Sequence, residues 1–96
     1  MHILIVEARY YQEVSEELAA GAIAELEARG ATFERIEVAG ALEIPQAMNI
    51  ALTYAEFDGA IALGCVIRGE TSHYDIVAGE SARAIMDISL AREVPV

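Results

Sequence analysis

Ala60-Ile61-Ala62-Leu63-Gly64-Cys65 is the stretch whose reading decides the fold. It is small and apolar throughout, with no polar residue alternating in. A strand with one wet face alternates, whereas a strand covered on both faces reads as a continuous apolar run. Asp58-Gly59, just before it, is a turn signal. The segment therefore predicts a strand of a parallel sheet, covered by helices on both sides. Were it helical, the loops around it would not converge on one point.

The flanking segments agree with a parallel sheet. Asp75 to Ala91 predicts a helix with Val77, Ala84, Ile85 and Ile88 inward and Glu80, Arg83 and Asp87 outward. Upstream, Pro45 suits the first turn of a helix that runs to about Glu56, with Ala47, Met48, Ala51 and Leu52 as its apolar side. Gly40 turns the chain, and Phe33 to Val38 predicts a strand. Glu13 to Arg29 predicts an amphipathic helix stopped by Gly30. Val14, Leu18, Ala22 and Leu26 recur at spacing four on it, with Ala19 and Ile23 beside them. His2 to Val6 predicts a buried first strand. Strand and helix thus alternate along the chain. That pattern implies an α/β fold, a three-layer α/β/α sandwich around a parallel sheet. One small domain over residues 1–96 is expected. Val94-Pro95-Val96 reads as the opening of a fourth strand, so the expectation is a chain that lacks its C-terminal portion.

Composition excludes several classes of function. The net charge is −10, which opposes binding to nucleic acid or to anionic membranes. The longest apolar run is far short of a membrane span. All six basic residues are arginine. The absence of lysine removes an enzyme-lysine Schiff base and a Walker-type phosphate loop. Cys65 is the single cysteine, and His2 and His73 are the only histidines. No disulfide can form within the chain, and no spacing suggests a metal site. The N-terminus shows no basic leader, so a cytoplasmic protein is expected.

In open parallel sheets ligands gather beyond the carboxyl ends of the strands. Three loops qualify: Glu7 to Tyr11, Gly40 to Pro45, and Gly64 to Tyr74. The third, GCVIRGETSHYD, passes from an apolar strand through a glycine turn into a helix start. Backbone N–H groups at a helix N-terminus bind anions. Gly69 permits a tight turn there, and Glu70, Thr71 and Ser72 can offer N–H groups and hydroxyls to a phosphate. His73 then stands beside the anion, where an imidazole can exchange protons near neutral pH. Each of these residues also has a plainer reading. Thr71 or Ser72 is by default an N-cap, and Arg68 a surface charge or a partner of Glu70. Tyr10 and Tyr11 can be loop packing. Cys65 reads as a small strand residue rather than a nucleophile.

Three segments taken together are more specific. Ala8-Arg9-Tyr10, Gly40-Ala41-Leu42-Glu43-Ile44-Pro45 and Gly64-Cys65-Val66-Ile67-Arg68-Gly69-Glu70-Thr71-Ser72-His73-Tyr74-Asp75 resemble lumazine synthases, in that family's order and at the same strand ends. The resemblance covers the whole chain and about the first two thirds of a typical family member. It implies a flavodoxin-like α/β sandwich whose last strand and C-terminal helices are missing here. It implies an enzyme that condenses 5-amino-6-(D-ribitylamino)uracil with 3,4-dihydroxy-2-butanone 4-phosphate to 6,7-dimethyl-8-ribityllumazine, in riboflavin biosynthesis. Phosphate and water are released, and no metal or organic cofactor takes part. The imine forms between the two substrates, which agrees with a lysine-free chain.

By the same resemblance, Tyr10 stacks on the pyrimidine ring, where phenylalanine is common in the family. Ala41, Leu42 and Glu43 hold the ribityl chain, with the Glu43 carboxylate accepting from its hydroxyls. Cys65, Val66 and Ile67 meet the pyrimidine edge, Glu70 and Thr71 contact the phosphate, and His73 is the general acid/base. An acidic Glu70 facing a phosphate would repel it, so its N–H is expected to bind while its side chain turns away. The resemblance also implies a homo-oligomer built on pentamers. In it the neighbouring subunit supplies an aromatic, and the family's later segment supplies a phosphate-binding arginine. The alternatives are a structural unit of the same fold that assembles without turnover, and a flavodoxin-like binding or signalling module. The latter wants clustered acids at the first strand's end and a distal lysine. Glu7 stands alone there, and lysine is absent.

Overall fold

Ile3, Leu4, Ile5 and Val6 give a strand no polar face, and they lie at the centre of the molecule, each buried. The computed structural model describes residues 1–96. Its elements are β1 (His2–Ala8), α1 (Gln12–Ala28), β2 (Thr32–Val38), α2 (Ile44–Tyr54), β3 (Gly59–Leu63) and α3 (His73–Arg92), with a short 3-10 turn at Ala41–Glu43 leading into α2. The strands form one parallel sheet in the order β2-β1-β3. Its pleat sorts the core into two layers. Ile3 and Ile5 pack with Leu26 of α1, and with Ala31. Leu4, Val6 and Ala8 pack on the opposite side with Ile44 and Met48 of α2 and Val77 of α3. The α/β/α sandwich expected from the alternation is therefore the fold. No helix is long and apolar enough to cross a membrane.

Some boundaries move, for physical reasons. β1 continues two residues past Val6, through Glu7 and Ala8. Glu7 is paired in place with arginines and stays in the ladder. β3 ends at Leu63, so Gly64 and Cys65 lie beyond the strand. Helices do face it on both sides, with Ala60 and Ala62 in one layer and Ile61 and Leu63 in the other. Yet its outer edge has no neighbouring strand, and Ile61 to Leu63 are only half-buried. The N–H of Ala60 donates to the carbonyl of Pro95 across that edge, at 2.9 Å. The Val94-Pro95-Val96 segment thus lies beside β3 as a fourth strand would, but forms no strand.

The inward face of α1 differs from the expectation. Val14 and Leu18 are 41% and 37% exposed, whereas Ser15, Ala19 and Leu26 are buried. Ala19 and Leu26 face inward as expected, and the difference lies in the first turns, where Ser15 is anchored to the chain beneath it. Its hydroxyl donates to the carbonyl of Ala8 at 2.7 Å and can also reach that of Tyr11 at 2.9 Å. Small residues at 15 and 19 then let the helix close on the sheet. Gly30 ends it at φ +71°, a left-handed conformation that glycine adopts without strain.

Candidate active site

The carboxyl ends of the three strands release the chain at one end of the sheet, and the loops meet there around Gly64. A Cβ on that residue would stand 3.4 Å from Ala41 Cβ and from Ile44 Cδ1, and 3.9 Å from Ala8 Cβ. These are ordinary van der Waals distances, so Gly64 sits in contact range of the end of β1 and of the segment that follows β2. Gly69, by contrast, has no left-handed φ and open space around it, so the following turn does not require glycine.

A cleft of about 400 Å³ opens beside this meeting point. Tyr10 supplies one wall, Ala41, Leu42 and Glu43 a second, and Cys65, Val66, Ile67 and His73 a third. Glu70 and Thr71 do not line it. They fall in the turn that joins Ile67 to His73, and both are exposed. The Thr71 hydroxyl accepts the N–H of His73 at 3.2 Å, a local turn contact just ahead of α3, whose N-cap residue is Ser72. The helix begins at His73 rather than Asp75, so His73 is carried on the helix itself and not on a loop.

Tyr11, Ala39, Gly40 and Val77 also line the cleft, although the sequence did not single them out as site residues. Val77 was legible in principle, because it follows His73 by four residues and so shares its helix face. Tyr11 meets Tyr10 edge-on, with ring centroids 4.9 Å apart.

Two sets of charges hold the walls. Behind the Tyr10 wall, the Glu7 carboxylate accepts from Arg35 Nε at 2.6 Å and Arg35 NH2 at 2.9 Å, and from Arg9 NH1 at 3.2 Å. The Arg35 bonds hold the Glu7 carboxyl below its ordinary range against the upward push of burial, and Arg9 lowers it further. Glu7 in turn raises the pKa of Arg35. At the His73 wall, Arg68 forms an ion pair with Asp75 at 3.1 Å and lies 4.2 Å from the centre of the Tyr74 ring. Arg68 therefore pairs with Asp75 and not with Glu70. No three His, Cys, Asp or Glu side chains come together as a metal site.

The sequence model of the 6,7-dimethyl-8-ribityllumazine synthase family matches residues 1–96. The chain belongs to the lumazine synthase family. It is 60% identical over 93 residues to a 6,7-dimethyl-8-ribityllumazine synthase of Methylobacterium radiotolerans, covering 97% of this chain and 57% of that protein. It is 56% identical to 6,7-dimethyl-8-ribityllumazine synthase 1 of Rhodopseudomonas palustris, covering 97% of this chain and 60% of that one. A lumazine synthase of Azorhizobium caulinodans is 57% identical with the same coverage. The chain spans a little under two thirds of the length of these family members. Its three strand-end motifs all fall within the matched part.

Proposed function

We propose that this chain carries the ribitylaminouracil half of a lumazine synthase site, as one domain of that enzyme. The reaction joins 5-amino-6-(D-ribitylamino)uracil to 3,4-dihydroxy-2-butanone 4-phosphate and releases phosphate and water. The observation that carries this reading is the convergence of the three motifs on one cleft, with His73 at the start of a helix and Tyr10 on the facing loop.

The chemistry follows from the residue types. Tyr10 offers a flat, exposed ring on which a pyrimidine stacks. Glu43 offers carboxylate oxygens to ribityl hydroxyls. The backbone of Cys65 to Ile67, released from the ladder beyond Leu63, has free polar groups for the pyrimidine edge. Glu70 and Thr71 sit at the N-terminal end of a long helix, where N–H groups favour a phosphate. His73 moves the protons. It assists loss of water from the carbinolamine formed between the two substrates, and then assists loss of phosphate. No metal and no organic cofactor takes part.

The same reading includes a pentamer-based homo-oligomer. Ile76, Met86 and Leu90 of α3 and Ile50 and Tyr54 of α2 are exposed apolar residues, the kind of surface that subunit contacts cover. An assembly unit without turnover draws on the same exposed residues. The chain's negative charge supports small-molecule partners rather than nucleic acid or a membrane. A single free thiol at Cys65 suits the cytoplasm.

The test is direct. The protein is incubated with both substrates, and 6,7-dimethyl-8-ribityllumazine is followed by its fluorescence. In parallel the protein is titrated with that product. In the full-length protein, turnover with saturable binding is expected. Binding without turnover would favour the assembly reading, and the absence of both would refute the proposal.

A further inference from the structure

Glu7 is the one fully buried acid of the chain, yet it does not line the cleft. Burying a carboxylate is costly, and a well-packed apolar residue is often as stable in such a place. Its placement calls for a role other than stability. We infer that Glu7, acting through Arg9, is a positioning residue that presets the Tyr10–Tyr11 wall to receive a flat heterocyclic ring. The inference rests on reading that wall as the ring side of the site.

The geometry carries it. Glu7 stands near the end of β1, on the same face as Ile3 and Ile5, with only Ala8 and Arg9 between it and Tyr10. Arg35 grips both carboxylate oxygens and so fixes the plane of the group. Oε1 is left pointing where Arg9 can also reach it, at 3.2 Å. Arg9 is thereby held between two acids, since its other terminal nitrogen lies 3.6 Å from Glu16 of α1. Its backbone N–H donates to Val38 and extends the ladder to β2. The Ser15 hydroxyl secures the carbonyl of Ala8 on one side of Tyr10 and lies in reach of that of Tyr11 on the other. The residues around Tyr10 are thus tied to β2 and α1, while Tyr10 itself projects, 74% exposed. An apolar residue at 7 would fill the space but leave Arg9 undirected. A ring held in advance loses less freedom when it stacks on a ligand.

Backbone relaxation measured by NMR tests the inference without any ligand. Arg9→Met leaves the Glu7–Arg35 pair intact and so spares folding. In that variant the order parameters of the Tyr10 and Tyr11 amides should fall from about 0.85 to below about 0.6, while those of Leu4 and Met48 hold. Glu7→Gln, if it folds, should produce a smaller fall in the same residues. Unchanged order at Tyr10 overturns the inference, because a purely structural role would lower the melting temperature without loosening that loop. Titration with 6,7-dimethyl-8-ribityllumazine then reads the consequence. Arg9→Met should weaken binding about tenfold, but by less than about twofold once Tyr10→Ala is present. Additive losses would mean that Arg9 does not act through Tyr10. If the unmodified protein does not bind the lumazine, the functional reading fails, and the relaxation data still decide the positioning.

Discussion

The two facing walls of the cleft are held in opposite ways. The Tyr10 wall follows β1, the central strand, and its charges are shielded: the Glu7 side chain is 1% exposed and that of Arg9 20%. The His73 wall follows β3, and its clamp is wet, with Arg68 and Asp75 side chains 62% and 59% exposed. Buried charges are shielded from solvent, whereas an ion pair this exposed is screened by water and salt. On the proposed function, the anchored wall holds the ring and the looser wall carries the reacting group.

The largest expected effect lies on the looser wall. In the full-length protein, and on the proposed role of His73, His73→Ala should lower turnover by about a hundredfold while leaving the Michaelis constants nearly unchanged, because proton transfer is needed in the transition state and not to hold the ground state. Steady-state lumazine formation checks it. A change confined to the Michaelis constant would make His73 a positioning residue and erase the contrast between the walls.

Stability should respond chiefly at the anchored wall. Glu7→Ala should cost about 2 kcal/mol, less than the ~3–5 kcal/mol of a fully buried pair, because the Arg35 side chain is 39% exposed and can rehydrate. For a chain of this length that is a fall in melting temperature of roughly 10 °C. The pH dependence has a definite sign. The folded-state pKa of Glu7 lies below its ordinary 4.5. Its contribution is therefore complete above pH 4.5 and is lost as pH falls through the lower, folded-state value. Glu7→Gln should flatten the stability–pH curve in that acidic window, and an unchanged curve would show that the arginines do not stabilise the carboxylate.

Glu43→Ala should raise the Michaelis constant for the ribityl substrate by about tenfold with little change in turnover, since hydrogen bonds to its hydroxyls are made in both states. The smallest effect belongs to the wet clamp. Arg68→Ala should cost at most about 1 kcal/mol, and 1 M salt should abolish the difference from the parent. A loss as large as that of Glu7→Ala would break the comparison, because it would mean that the loop after β3 is anchored as firmly as the one after β1.

Local pattern was enough for much of this protein. The apolar runs at residues 3–6 and 60–63, the helical spacing of Met48, Ala51 and Leu52, and the glycine at 30 all act on neighbours within a few residues. Sequence spacing reports such effects directly. The three strand-end motifs stood out through their resemblance to a family rather than through spacing, and of the residues named from them Tyr10, Ala41, Leu42, Glu43, Cys65, Val66, Ile67 and His73 line the cleft whereas Glu70 and Thr71 do not. Tertiary structure alone decided that β1 lies between β2 and β3. It also decided the seating of α1 on Ser15 and the burial of Glu7 against Arg35, 28 residues away. No periodicity records a partner that distant. A lone glutamate after an apolar run reads as the end of a strand until the neighbouring strand delivers the charge that lets it stay inside.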